Sequence, residues 1–266
     1  MYGLMFELLY ELSVGAHVHF LSRVPSPKII MQALAEVKPY VIIAVPLVIE
    51  KIYKTKVKPI LEKEGVKFLM KLPVLNHIVM DKVREELVKA FGGEFYEVII
   101  GGAAFNTEVE AFFKRIGFPF TVGYGMTECA PIITYDDWKE EKLYSCGKPA
   151  PNMEVKICSK DPENLPGEIL VKGSNVFLGY YKNEEATAEE FTEDGWFRTG
   201  DMGIIDADGC LFIKGRAKCM ILGPSGQNIY PEEVETVLNS QPYVVDSLVI
   251  EDNGGLTALI YPDFFQ

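Results

Sequence analysis

The sequence predicts a layered α/β subdomain, followed by a small β-barrel-like subdomain and the start of a small α+β domain. Three observations carry this. Wholly apolar runs such as residues 40–45 lack polar alternation, as strands covered on both faces of a parallel sheet do. Amphipathic helical stretches separate those runs. After Pro149-Ala150-Pro151 the texture changes to short alternating segments divided by tight turns.

Taken in order, residues 5–12 read as a helix with Glu7 and Glu11 four apart, broken by Gly15, and residues 16–21 alternate as a strand. Ser26 and Pro27 supply an N-cap and a first-turn proline for a helix that ends before Pro39. Residues 40–45 are the first buried strand. Helices follow at 47–61 and 81–91, the second stopped by Gly92-Gly93. Residues 95–100 are a strand, Asn106 or Thr107 caps a helix through Ile116, and residues 120–123 begin another strand. Further strands are expected at 153–158, 167–173, 203–206 and 209–213, with turns at Asp161-Pro162, Asp194-Gly195 and Asp208-Gly209. From Lys218 onward the pattern gives a hairpin, a helix at 231–239 and strands at 244–251 and 256–261. The organisation is thus 1–150, 151–217 and 218–266. The last piece is too short to bury much surface and reads as the start of a domain whose remainder is absent.

Composition narrows the classes of function. A hydrophobic content of 48% excludes a disordered chain. With 26 Lys and Arg against 38 Asp and Glu, the formal charge is −12, which argues against nucleic acid as a partner. Five cysteines without a Cys-x-x-Cys pair fit a reducing compartment rather than a disulfide framework or a zinc site. The longest apolar run is ten residues and contains Pro46, too short to cross a bilayer. With no basic signal-peptide start, the expected location is cytoplasmic.

Four clusters suit chemistry. At 99–104, Ile-Ile-Gly-Gly-Ala-Ala runs a strand into small residues against which a flat ligand can lie. At 123–128, Gly-Tyr-Gly-Met-Thr-Glu offers an aromatic face, close backbone approach, a hydroxyl and a hard oxygen for Mg²⁺. At 196–201, Trp-Phe-Arg-Thr-Gly-Asp ends in a carboxylate suited to vicinal hydroxyls, placed just before a strand. At 213–218, Ile-Lys-Gly-Arg-Ala-Lys supplies a guanidinium fork, ahead of a glycine-rich hairpin tip at 223–228. Each taken alone also fits a plain turn.

In this order and spacing, together with Gly167-Glu168-Ile169-Leu170-Val171-Lys172-Gly173 and Gly179-Tyr180-Tyr181, the clusters resemble the adenylate-forming superfamily: acyl-CoA synthetases, luciferases and the adenylation domains of peptide synthetases. The wording is most similar to bacterial long-chain fatty acid CoA ligases. The resemblance implies ATP or AMP, Mg²⁺ and coenzyme A as ligands, with a long-chain fatty acid as the second substrate. It implies that Gly102, Ala103 and Ala104 wall the adenine slot opposite Tyr124, with Gly125 and Met126 beside it. It further implies that Thr127 holds the α-phosphate, Glu128 the metal, and Asp201 the ribose, helped by Arg216 and Ile213. Lys218 matches the hinge of the small C-terminal domain, and Ser225, Gly226 and Gln227 the approach to the pantetheine arm. Thr127, Glu128 and Lys218 are the residues closest to catalysis on this reading.

The resemblance covers only the middle of a family member. The Ser/Thr/Gly-rich phosphate loop and the C-terminal lysine have no counterpart in these 266 residues, so the fragment is expected to be inactive. A nucleotide- or lipid-binding pseudoenzyme, or half of a complex completed by another chain, are the other readings. Aromatic residues at 1–10 and 112–120 lie where the family builds its acyl pocket, and also at spacings typical of a core. His17 and His19 share a face of the expected strand without a visible third metal ligand. Cys129 reads as a packed residue. The lysines at 54–58 read as a solvated helix face, or with apolar residues 68–75 as a peripheral contact with anionic lipid.

Overall fold

Three strands, β1 (Val41–Ala44), β2 (Glu97–Ile100) and β3 (Phe120–Val122), form a parallel sheet in the order β1-β2-β3. Val98, Ile100 and Phe120 are completely or almost completely buried in it. The computed structural model describes residues 2–21, 26–223, 227–252 and 254–262. It places this sheet in the first of two units, Met1–Leu143 and Tyr144–Gln266, so 144–217 and 218–266 belong to one unit.

Helices occupy the rest of the first unit: α1 over residues 2–13, α2 (Pro27–Val37), α3 over residues 46–61, α4 (Glu64–Met70), α5 (Pro73–Ala90) and α6 (Thr107–Ile116). Local chemistry sets their ends. The Ser26 hydroxyl accepts the Ile29 N–H at 3.4 Å, and Asn106 Oδ1 accepts from Glu108 and Val109 at 3.0 and 3.1 Å. In α6, Glu108 and Glu110 sit in the first turn and Lys114 and Arg115 in the last, matching the helix dipole. Its apolar face buries Val109, Phe112, Phe113 and Ile116. Phe113 packs 4.7 Å from Phe118 and 5.7 Å from Phe120, centroid to centroid, and Phe91 and Phe95 extend the cluster. Residues 112–120 therefore supply core.

A buried carboxylate stands at the amino end of β2. Glu97, 4% exposed at the start of β2, accepts from the Tyr135 hydroxyl at 2.8 Å and the Trp138 N–H at 3.3 Å. Burial pushes its pKa above the ordinary carboxylate value, against the pull of those two hydrogen bonds.

The expected strand at 16–21 is absent: these residues take no regular secondary structure, and Phe20 is 79% exposed. Alternation makes a strand only where a neighbouring backbone completes the ladder. The apolar stretch at 68–75 is instead the end of α4 and the start of α5.

In the second unit, after the short β6 (Lys148–Pro149), strands β7 (Met153–Cys158), β8 (Gly167–Gly173), β9 (Phe197–Ile205) and β10 (Leu211–Arg216) form an antiparallel sheet ordered β10-β9-β8-β7. The sheet is open, with β10 and β7 at its edges, rather than closed into a barrel. Helix α7 (Glu184–Glu190) lies between β8 and β9 in the chain, capped by Asn183. A two-stranded ladder, β11 (Ile221–Leu222) with β12 (Asn228–Ile229), precedes α8 (Pro231–Asn239) and the hairpin of β13 (Val244–Asp252) with β14 (Gly255–Pro262). Glu235 on α8 accepts the Val249 N–H at 2.7 Å, which ties that helix to the hairpin.

Candidate functional site

In the first unit the candidate groups sit at the carboxyl ends of neighbouring parallel strands, where ligands of such sheets bind. Gly101 follows β2 and Gly123 follows β3, and the Gly123 N–H donates to the Ile100 carbonyl at 2.9 Å. A Cβ at Gly101 would lie 3.3 Å from the Gly123 carbonyl oxygen and from the Tyr2 ring. The two segments therefore touch, backbone against backbone. Gly102, Ala103 and Ala104 are exposed beyond this contact, and Gly102 has φ +88°, the region that favours glycine. Tyr2 has no sequence signal linking it to Gly101; its hydroxyl is buried, and burial with the nearby Glu7 carboxylate raises its pKa to about 12.

The expected strand at 120–123 ends at Val122, and Tyr124–Gly125 form β4, paired antiparallel with β5 (Ile132–Tyr135). A bulge lies between Tyr124 and Gly125. The Met126 N–H donates to the Pro131 carbonyl at 2.8 Å, closing the loop. That loop is a single tight turn, Thr127–Cys129, with Ala130 in the left-handed region at φ 55°. Gly125 admits no side chain: a Cβ there would lie 2.0 Å from the Pro131 carbonyl oxygen. Tyr124 is 8% exposed, Thr127 is exposed and Glu128 half-buried, so the turn presents a hydroxyl and a carboxylate to solvent. Cys129 is fully buried, and burial together with Glu128 raises its thiol pKa to about 12, which suits a packed residue and no nucleophile.

In the second unit the geometry corrects the sequence reading. Asp201 does not precede a strand; it lies at the centre of β9, 6% exposed. The strand exists because backbones flank it on both sides, with Leu170 opposite Arg198 and Arg216 opposite Asp201. Likewise β10 extends past the expected end at 213 to Arg216. That register brings the two charges together, with Arg216 Nε 3.0 Å from Asp201 Oδ1. Ile213 lies on the same strand, opposite Gly203. Thr199 positions the carboxylate's backbone: its hydroxyl donates to the Ile169 carbonyl at 2.9 Å and accepts the Asp201 N–H at 3.1 Å.

Gly215, at φ +154°, makes room for α8. A Cβ there would lie 2.7 Å from Glu232 Oε2, a buried oxygen without a hydrogen-bond partner among the described residues. Lys218 is exposed on a short helical turn after β10. Gly226, with Ser225, lies outside the described residues. The rings of His17 and His19 lie 4.4 Å apart, and no group of three or more metal-ligating side chains occurs among the described residues.

Known proteins are similar to this chain in sequence and fold. A family model of AMP-binding enzymes matches residues 1–181. The long-chain-fatty-acid–CoA ligase FadD15 of Mycobacterium bovis is 32% identical over 265 residues, which cover 90% of this chain and 42% of that protein. The structure of O-succinylbenzoate coenzyme A synthetase (MenE) from Bacillus subtilis, solved with ATP and magnesium ion, matches with a TM-score of 0.72 at 27% identity, over 94% of this chain and 47% of that one. ATP-bound MatB from Rhodopseudomonas palustris matches with a TM-score of 0.73 at 25% identity, over 96% and 46%. The chain spans less than half the length of each.

Proposed function

Because this chain belongs to the AMP-binding enzymes of the adenylate-forming superfamily, we propose that it is a portion of a long-chain fatty acid CoA ligase. The observation that carries the reading is the buried Asp201 carboxylate held beside Arg216 on adjacent strands, a pairing suited to vicinal hydroxyls. Relatives named for other acids share the fold, so the fatty acid rests on the similarity to long-chain-fatty-acid–CoA ligases such as FadD15.

On this reading Gly102, Ala103 and Ala104 wall the adenine slot with Tyr124, Gly125 and Met126. Thr127 holds the α-phosphate, and Asp201 accepts from the ribose hydroxyls with Arg216 and Ile213 alongside. Glu128 fits Mg²⁺, since it offers a hard carboxylate oxygen on a turn open to solvent. Bound there, the metal would neutralise phosphate charge. The acid's carboxylate oxygen attacks the α-phosphorus of ATP as the bond to pyrophosphate breaks. The thiolate of coenzyme A then attacks the acyl carbon, and AMP leaves. What the protein supplies is placement and charge stabilisation. Lys218 serves as the hinge, and Ser225, Gly226 and Gln227 meet coenzyme A. A cytoplasmic location, with peripheral contact at a membrane, completes this reading; no helix among the described residues is long and apolar enough to cross a membrane.

Calorimetric titration with AMP tests the site. Asp201→Ala should weaken binding tenfold to a hundredfold, from the roughly 1.5–3 kcal/mol carried by hydrogen bonds to a charged group. Unchanged affinity would remove Asp201 from the site. A polypeptide of these 266 residues should form no palmitoyl-CoA from ATP, palmitate and coenzyme A, lacking the phosphate loop and the lysine that the family uses. Turnover on the order of 1 per second would refute that.

A further inference from the structure

In a chain of net charge −12, residues 51–72 hold seven lysines and two glutamates, a local charge of +5. Six of the lysines (51, 54, 56, 63, 67 and 71) are exposed, and among the described residues only Lys67 forms an ion pair, with Glu64 at 3.2 Å. Large apolar side chains stand beside them in sequence and equally in the open. Phe68 is 63% exposed, Leu72 41% and Ile78 49%. On and just after α4, Lys67 and Lys71 are four apart, and so are Phe68 and Leu72, which sets a basic and an apolar stripe side by side.

We propose that α3, α4 and the start of α5 form a surface that docks on an anionic lipid bilayer. An interface with another protein, or with more of this one, would have to bury unpaired lysines, which protein interfaces exclude from their centres. A bilayer accepts both components: lysines stay with the headgroup phosphates and carboxylates, and Phe68, Leu72 and Ile78 enter the boundary with the acyl chains. Contrast the β13–β14 hairpin, where Leu248, Leu256, Leu259 and Tyr261 are exposed among acidic residues such as Asp246, Glu251 and Asp252. That face has the wrong charge for such a membrane. The inference goes beyond the ligase reading and stands without it, because vesicle binding needs neither nucleotide nor coenzyme A.

Flotation with vesicles of phosphatidylcholine, alone or with one third phosphatidylserine, tests it on the full chain. The protein should bind the anionic vesicles at least tenfold more tightly than the neutral ones and come off at 0.5 M salt. Changing Lys54, Lys56, Lys67 and Lys71 together to Glu should abolish binding, and Phe68→Ser with Leu72→Ser should weaken it several-fold, with circular dichroism unchanged in both. Lys156→Glu with Lys172→Glu, on the second unit, should leave binding as it is. Equal binding to both vesicle types, no binding to either, or loss of binding on changing Leu248 and Leu259 to Ser would overturn the proposal.

Discussion

The turn at Gly125 and the strand at Asp201 both present candidate ligand-binding groups, and they hold them by opposite means. Around Gly125 the backbone is locked by space, since Pro131 leaves no volume for even a methyl group. Around Asp201 it is locked by pairing. Gly200, the neighbouring residue, has φ +70° but nothing among the described residues within 4 Å of where a Cβ would stand. A tight turn fixes groups that must point out of a sheet's end, whereas a ladder fixes a group that must stand on a sheet's face.

Substituting alanine at both glycines gives this contrast its sharpest form. Gly125→Ala forces the loop to move and should cost about 3 kcal/mol or more and, on the proposed function, should also weaken AMP binding. Gly200→Ala meets only the conformational penalty of a left-handed residue, about 1 kcal/mol, and should leave the Asp201–Arg216 pair in place. Denaturant midpoints for the two variants measure the difference; equal losses would show that the strand is as crowded as the turn.

A smaller effect is expected at Glu97, where burial raises the pKa. The folded state then binds its proton more tightly than the unfolded chain. Stability from this group is full below the ordinary carboxylate value and is lost as pH rises through the raised one. Glu97→Gln removes that dependence, so the variant should gain on the parent between pH 4 and pH 8 in paired urea titrations. A gap that stays constant across this range would mean that Glu97 titrates normally in the folded protein.

The same contrast explains what was legible in the sequence. Asn106, Gly117 and the phenylalanines of α6 announce that helix through capping, a left-handed stop and a periodic face, all local signals. Gly167–Gly173 and Pro231–Asn239 are likewise bounded as their turn residues indicate. Asp201 was visible as a chemical group but not as a strand residue. Asp and Gly are poor strand formers, and only partners some 15 and 30 residues away, Arg216 and Leu170, make a strand of their segment. Residues 16–21 err the other way, with a strand's alternation and no paired strand among the described residues. Thr199, Tyr2 and Glu232 act through contacts that no spacing rule foretells.

The basic segment of α3 and α4 bears on how firmly this protein could attach anywhere. Its +5 is set in a chain whose remainder is more acidic than the whole. An anionic surface would therefore pull on one patch and push on the rest. Attraction falls off within about 8 Å at physiological salt, so it acts only once the patch already faces the surface. Approach in any other orientation is repelled. Contact made this way is selective in angle, shallow in strength and readily reversed, and a change of a few charges on either side would be enough to release it.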